Sequence, residues 1–190
     1  MKKYLSILIS LLISILLLLS LSSCSNVQSQ VTPRLQGFDQ IPAQVDLLAD
    51  DGKFVKTELP AVNIKAEVNT PSNPLSIIRT ENLPGITITS YKVKLSYQNT
   101  TLSSTPIPEY STKTTVYIKP NETVKFSFPF FNDQQWKLIL NTYAVNNLSD
   151  QSVYSWFIGV NASITFYGHD DAGNDFEIPG SFTASFGNIY

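Results

Sequence analysis

Cysteine and histidine are nearly absent: Cys24 and His169 are the only ones in 190 residues. One cysteine cannot form an intrachain disulfide, a CxxC redox pair or a cysteine zinc site, so stability has to come from a packed core. One histidine rules out a two-histidine metal site and an HExxH helix, and any serine triad would have to use it. No G-x-S-x-G elbow presents a nucleophile. Walker and G-x-G-x-x-G motifs are missing as well, so no nucleotide or other cofactor is expected and the chain reads as non-enzymatic. Charge is scarce too. Asp, Glu, Lys and Arg make up 15% of the chain, against about 25% in average globular proteins. Ser, Thr, Asn, Gln and Tyr fill the polar positions instead.

What is present begins at the N-terminus. Lys2-Lys3 precede a long apolar run from Leu5 to Leu21 interrupted by small serines, and Leu21-Ser22-Ser23-Cys24 follows. This is the layout of a cleavable export signal. The segment LSSC resembles the bacterial lipobox, in which an aliphatic and two small residues precede a cysteine that is acylated and becomes the first residue after cleavage. The resemblance implies a signal peptide at 1–23, a lipid-modified (palmitate-bearing) Cys24 and a bilayer as the first partner. Two acyl chains suffice for durable attachment, since each buried CH₂ contributes about 0.8 kcal/mol. An uncleaved transmembrane anchor remains the alternative, because about 18 apolar residues can span a bilayer. Ser25, rather than aspartate, follows the cysteine, which by analogy with lipoprotein sorting points to the outer membrane in a diderm host. Residues 1–23 hold two of the 13 basic residues and none of the 15 acids, so the mature chain has a net charge of −4. Nothing in that balance favours nucleic acid, whose binding needs clustered Lys and Arg.

Residues 24–37 are polar, contain Pro33 and Gly37, and lack sustained periodicity. They read as a lipidated flexible tether, holding the domain on the order of 20 Å from the membrane. From Phe38 to Tyr190 the texture changes to short apolar alternations between turn residues, without a repeat or composition break, and one domain is expected. Val62, Ile64, Ala66 and Val68 alternate with polar residues, as do Val160, Ala162, Ile164 and Phe166, so each run predicts a half-buried strand. Between Ile86 and Tyr97 the apolar residues switch parity, from 86 and 88 to 91, 93, 95 and 97. A continuous strand cannot bury both sets, so a bulge near Thr89-Ser90 or a change of sheet is required. Three hairpins are predicted: around Asp50-Asp51-Gly52, around Pro120-Asn121-Glu122, and across 169–175, with Pro179-Gly180 marking a bulge or an edge. After Asn132-Asp133, a suitable N-cap, Trp136, Ile139, Leu140 and Tyr143 follow helical spacing and predict a helix near 134–144. A strand is the alternative, since Trp136, Leu138 and Leu140 also alternate.

Many short strands with a single helix predict an all-β fold, an antiparallel β-sandwich of about seven to nine strands. From about Ile86 onward the strand-and-turn texture looks like the immunoglobulin-like or fibronectin-like domains of bacterial surface lipoproteins. That likeness concerns architecture alone.

Candidate chemistry is thin. Asp170, Asp171, Asn174, Asp175 and Glu177 place five oxygen-bearing side chains around Gly173, a possible calcium loop, although turns favour the same residues for their backbone hydrogen bonding. Asp50 with Asp51, and Asp170 with Asp171 and Asp175, are the carboxylates a small envelope hydrolase would need. His169, Asp170 and Asp171 are expected in an exposed turn, where substituting all three should leave folding nearly unchanged. Trp136 and Trp156 suit the core better than a sugar platform. The four Asn-x-Ser/Thr tripeptides at 99, 121, 147 and 161 read as chance in an Asn-rich exported bacterial chain. The expected role is an anchored interaction or structural domain of the cell envelope with a protein or glycan partner. A carbohydrate- or calcium-binding module is the second reading and the hydrolase the third.

Overall fold

Alternation becomes sheet wherever one strand face is apolar. A computed structural model describes residues 31–39, 41, 44–46, 59–69, 83–99, 106–147 and 157–187. Among the described residues are eight strands, β1 (Val31–Asp39), β2 (Gln44–Asp46), β3 (Ala61–Val68), β4 (Ile86–Tyr97), β5 (Tyr110–Ile118), β6 (Thr123–Ser127), β7 (Phe157–Asp170) and β8 (Asp175–Gly187). A helix, α1 (Asp133–Asn147), separates β6 from β7. The strands form two sheets, ordered β1-β3-β6 and β2-β8-β7-β4-β5. Every pairing is antiparallel except the three-residue contact of β2 with β8. The described residues thus form the expected all-β sandwich, with one short helix among them.

The inner faces meet through aromatic rings. Phe128 packs against Phe166 and Tyr91 at centroid distances of 5.3 and 5.4 Å, while Phe182 contacts Phe38 and Phe130, each at 5.2 Å. Most of these contacts are edge-on, the arrangement ring quadrupoles prefer. Gly180 keeps β1 close to the larger sheet: a Cβ there would stand 2.7 Å from the Phe38 ring and 2.9 Å from Leu35. Around Pro179-Gly180 the β7–β8 register runs without a shift, so there is no bulge. Instead the pair lies beyond the stretch of β8 that β2 covers, Ser185–Gly187, at a free edge among the described residues.

In β4 the parity switch is a bulge. The register shifts between Ile88 and Ser90 against both neighbours, β5 and β7, so that Ile86, Ile88, Tyr91, Val93, Leu95 and Tyr97 are all buried. Two other expectations need correction. Residues 31–37, assigned to the tether, are most of β1 and belong to the sandwich, which therefore extends ahead of Phe38. Pro33 is tolerated because β1 is an edge strand, and a register shift between Leu35 and Gly37 hides its alternation. The second correction concerns Pro120-Asn121-Glu122, which does not close a hairpin. It carries the chain from β5 in one sheet to β6 in the other, because the turn bonds to β3 instead: Asn121 N donates to Ala66 O at 2.7 Å and Ala66 N to Glu122 O at 3.1 Å. Asn121 holds φ at 62°, a left-handed conformation that asparagine tolerates. The hairpin expected around Asp50-Asp51-Gly52 lies outside the described residues.

Asn132 caps α1 reciprocally. Its Oδ1 accepts from Gln135 N at 2.9 Å, and Gln135 Oε1 accepts from Asn132 N at 3.2 Å. The fully buried stripe is Gln135, Ile139 and Thr142, while Trp136, Leu138 and Leu140 are half-buried against the core. Gln135 belongs on that stripe because its Nε2 donates to Pro108 O at 2.7 Å.

Tyr91 and Tyr110 both donate their hydroxyls to Pro129 O. Burial pushes the Tyr91 phenol up to about 12 and raises Tyr110 as well. Both phenols stay neutral in the fold while the unfolded chain ionises near pH 10. Their stabilising contribution is therefore full below pH 10 and lost as pH climbs towards 12. Titration at 295 nm should show at least two of the nine tyrosines silent until the protein unfolds in alkali; complete ionisation by pH 11 with the fold intact contradicts this packing.

Candidate functional site

The acidic hairpin between β7 and β8 holds most of the side chains singled out for chemistry, and the fold divides them between structural and exposed positions. β7 buries its even-numbered residues, and that parity carries Asp170 inward to 1% exposure. Its Oδ1 accepts from Ala172 N at 3.0 Å, Asn174 N at 2.8 Å and Asn174 Nδ2 at 3.1 Å, and its Oδ2 from Asn174 Nδ2 at 2.9 Å. Asp170 closes the turn in which Gly173 takes a φ of 84°. The expectation of an exposed, expendable Asp170 is therefore corrected.

Asp171 is exposed but engaged. Its Oδ2 accepts from Gly85 N at 2.7 Å and from the Tyr117 hydroxyl at 3.1 Å, while its own N–H donates to Gly85 O at 3.1 Å. The end of the Tyr117 side chain lies where a side chain on residue 85 would stand, its ring carbons 2.5 and 2.7 Å from the Cβ position, so a larger residue there would have to displace the half-exposed phenol from Asp171. The bond to Asp171 raises the Tyr117 phenol above its ordinary range. Asp170 thus closes the β7–β8 turn from within, and Asp171 ties it to the start of β4 and the end of β5.

His169, Asp175 and Glu177 point the other way. They are exposed, and with half-buried Tyr167 they stand on the outer face of the five-stranded sheet as two directly opposed pairs, Tyr167 with Glu177 and His169 with Asp175. Thr89, the bulge residue of β4, lies beside them. These five side chains, with Gly168 and Phe176, line an open groove of about 490 Å³. The five oxygen donors considered for calcium do not converge, since Asp170 faces inward and Asp175 and Glu177 outward. Among the described residues no group of three or more His, Cys, Asp or Glu is placed to hold a metal ion. The Thr89–Tyr167 edge of the groove was not singled out from the sequence, although the parity break at 89 was its visible trace.

The groove sits at the same end of the sandwich as Val31. Val31 pairs with Val68 in β3, Asn121 Oδ1 accepts from Val68 N at 3.4 Å, and the Tyr117–Asp171 bond joins that corner to the acidic turn. Four carboxylates elsewhere on the described surface are paired with bases: Asp39 with Lys125, Glu67 with Arg34, Glu109 with Lys92 and Lys94, and Glu122 with Lys119. Lys92 and Lys94 hold the Glu109 carboxyl below its ordinary range, chiefly through the hydrogen bond from Lys92.

Cys24, Asp50, Asp51 and Trp156 lie outside the described residues. Among those described, no helix is long and apolar enough to cross a membrane. No family model, no curated protein and no solved structure matches this chain.

Proposed function

We propose that the protein is a bacterial lipoprotein anchored to the cell envelope through acylated Cys24, and that its sandwich is a non-enzymatic binding domain. The observation that carries this reading is the order of basic start, apolar run and LSSC ending in the chain's one cysteine. The use of the acids supports binding over catalysis. Asp170 and Asp171 accept structural hydrogen bonds, four other carboxylates sit in ion pairs, and His169 is exposed without the positioned partner a general base requires. Val31, where β1 starts, is seven positions along the chain from Cys24. At about 3.3 to 3.6 Å per residue, that end of the sandwich lies within roughly 25 Å of the anchor.

Expression of the wild type and Cys24→Ser in a bacterial host tests the anchor. The wild type should carry acyl mass on Cys24 and partition with membranes, in the outer-membrane fraction of a diderm host. Cys24→Ser should show no acyl mass and enter the aqueous phase. Retention of that variant in the membrane through residues 1–23 would replace the lipobox with an uncleaved anchor.

A further inference from the structure

We infer that the groove bounded by Thr89, Tyr167, His169, Asp175, Phe176 and Glu177 binds a neutral sugar ring; this rests on the reading of the sandwich as a non-enzymatic binding domain and names its ligand class. Its volume of about 490 Å³ falls within the range of small-ligand sites, roughly 300 to 1,000 Å³. The groove gathers several polar groups without a partner in one place. Other outer-face carboxylates and Tyr117 have partners within the protein. The His169 imidazole and the carboxylates of Asp175 and Glu177 have none among the described residues, and they stand in adjacent cross-strand pairs with Tyr167, whose hydroxyl interacts electrostatically with Lys92.

The mixture of groups selects the ligand. Two carboxylates only accept hydrogen bonds, the phenol both donates and accepts, the Thr89 hydroxyl, which donates to Tyr167 O at 3.4 Å, accepts, and a neutral imidazole offers one donor and one acceptor. Sugar hydroxyls do both, and the C–H face of a pyranose ring can lie on the aromatic ring of Tyr167. An apolar ligand would strip water from four polar groups and return no hydrogen bonds. An anionic ligand would meet two uncompensated carboxylates. The β4 bulge at Thr89 contributes by breaking the regular outer face beside Tyr167.

The test uses the full-length protein in detergent micelles on an array of immobilised neutral hexasaccharides of glucose, mannose and N-acetylglucosamine, followed by calorimetry with the best binder. Tyr167→Ala and Glu177→Gln should each weaken binding at least tenfold with the melting temperature unchanged, while Glu67→Gln, on the other sheet, should bind as the wild type does. Affinity should persist at about 1 M salt, where the screening length is only about 3 Å. Retention of none of these glycans, or equal binding by Tyr167→Ala, overturns the proposal. Binding confined to deacetylated glucosamine oligomers and abolished by salt overturns it too, because charge rather than a polyol would then be recognised. Because detergent replaces the bilayer, the result is independent of whether Cys24 anchors the chain. Hydrolysis of a bound glycan would uphold the groove as a sugar site while overturning the non-enzymatic reading.

Discussion

Ile164→Asp is expected to abolish cooperative folding, whereas Thr165→Asp, one residue on, should leave stability almost unchanged. Ile164 is 1% exposed at the centre of β7, opposite Val93 of β4 on one side and Gly180 of β8 on the other. Removing a buried isoleucine side chain costs about 2 to 5 kcal/mol. A carboxylate in its place meets no donor on that apolar face and adds the cost of burying an unpaired charge. The sum approaches the whole stability of an ordinary domain, about 5 to 15 kcal/mol. Thr165 is half-exposed on the opposite face, across from Lys92, and surface changes of this kind shift stability by roughly 0.5 kcal/mol or less. Urea denaturation of both variants reads the difference; equal losses would mean that β7 does not bury one face selectively, and a larger loss for Thr165→Asp that its two faces are exchanged.

That contrast was legible in the sequence because β7 has one uninterrupted parity over its whole length. The bulge of β4 was legible for a related reason: its apolar residues stay apolar on both sides of Thr89-Ser90, so the switch of parity shows directly. β1 has the same kind of irregularity and was not legible. One of its inward positions is Pro33, its shift falls at Gln36-Gly37, and few apolar residues remain to mark either side. The corner at 120–122 was misread because turn residues between two apolar alternations fit a hairpin and a crossover between sheets equally well. Only the pairing of Asn121 and Glu122 with Ala66 decides between them, and that contact is distant in sequence. Sheet partnership is a non-local property that local alternation cannot encode. In the candidate site, the acidic residues were visible, but their division was not. Asx-type turn chemistry fits Asp170 and Asp171 alike, and composition does not show which of them turns inward. The even-numbered parity of β7, extended four residues beyond Phe166, would have placed Asp170 inside.

Asp170→Ala therefore should destabilise the protein by about 3 kcal/mol, in contrast to the silence expected of an exposed turn. Three donors, Ala172 N, Asn174 N and Asn174 Nδ2, lose their acceptor at a site 1% exposed. Hydrogen bonds to a charged group contribute about 1.5 to 3 kcal/mol each, but bonds that share one acceptor are not additive, and the freed turn can recover some of them from water. Asp170→Asn, which keeps the size and one carbonyl oxygen, should cost less than the alanine change. Asp171→Ala frees Gly85 N and the Tyr117 hydroxyl at an exposed position, where water replaces the lost acceptor, and a cost of about 1 kcal/mol is expected. His169→Ala removes an exposed ring and should change stability by no more than about 0.5 kcal/mol. The expected order of chemical denaturation midpoints is thus wild type and His169→Ala highest, then Asp171→Ala, with Asp170→Ala lowest. A drop for Asp170→Ala no larger than that for His169→Ala would show that the buried carboxylate does not close the turn. The ordering also bears on chemistry: activity lost in Asp170→Ala together with the fold reports a structural residue, whereas loss in the stable His169→Ala variant would place the imidazole at a working site.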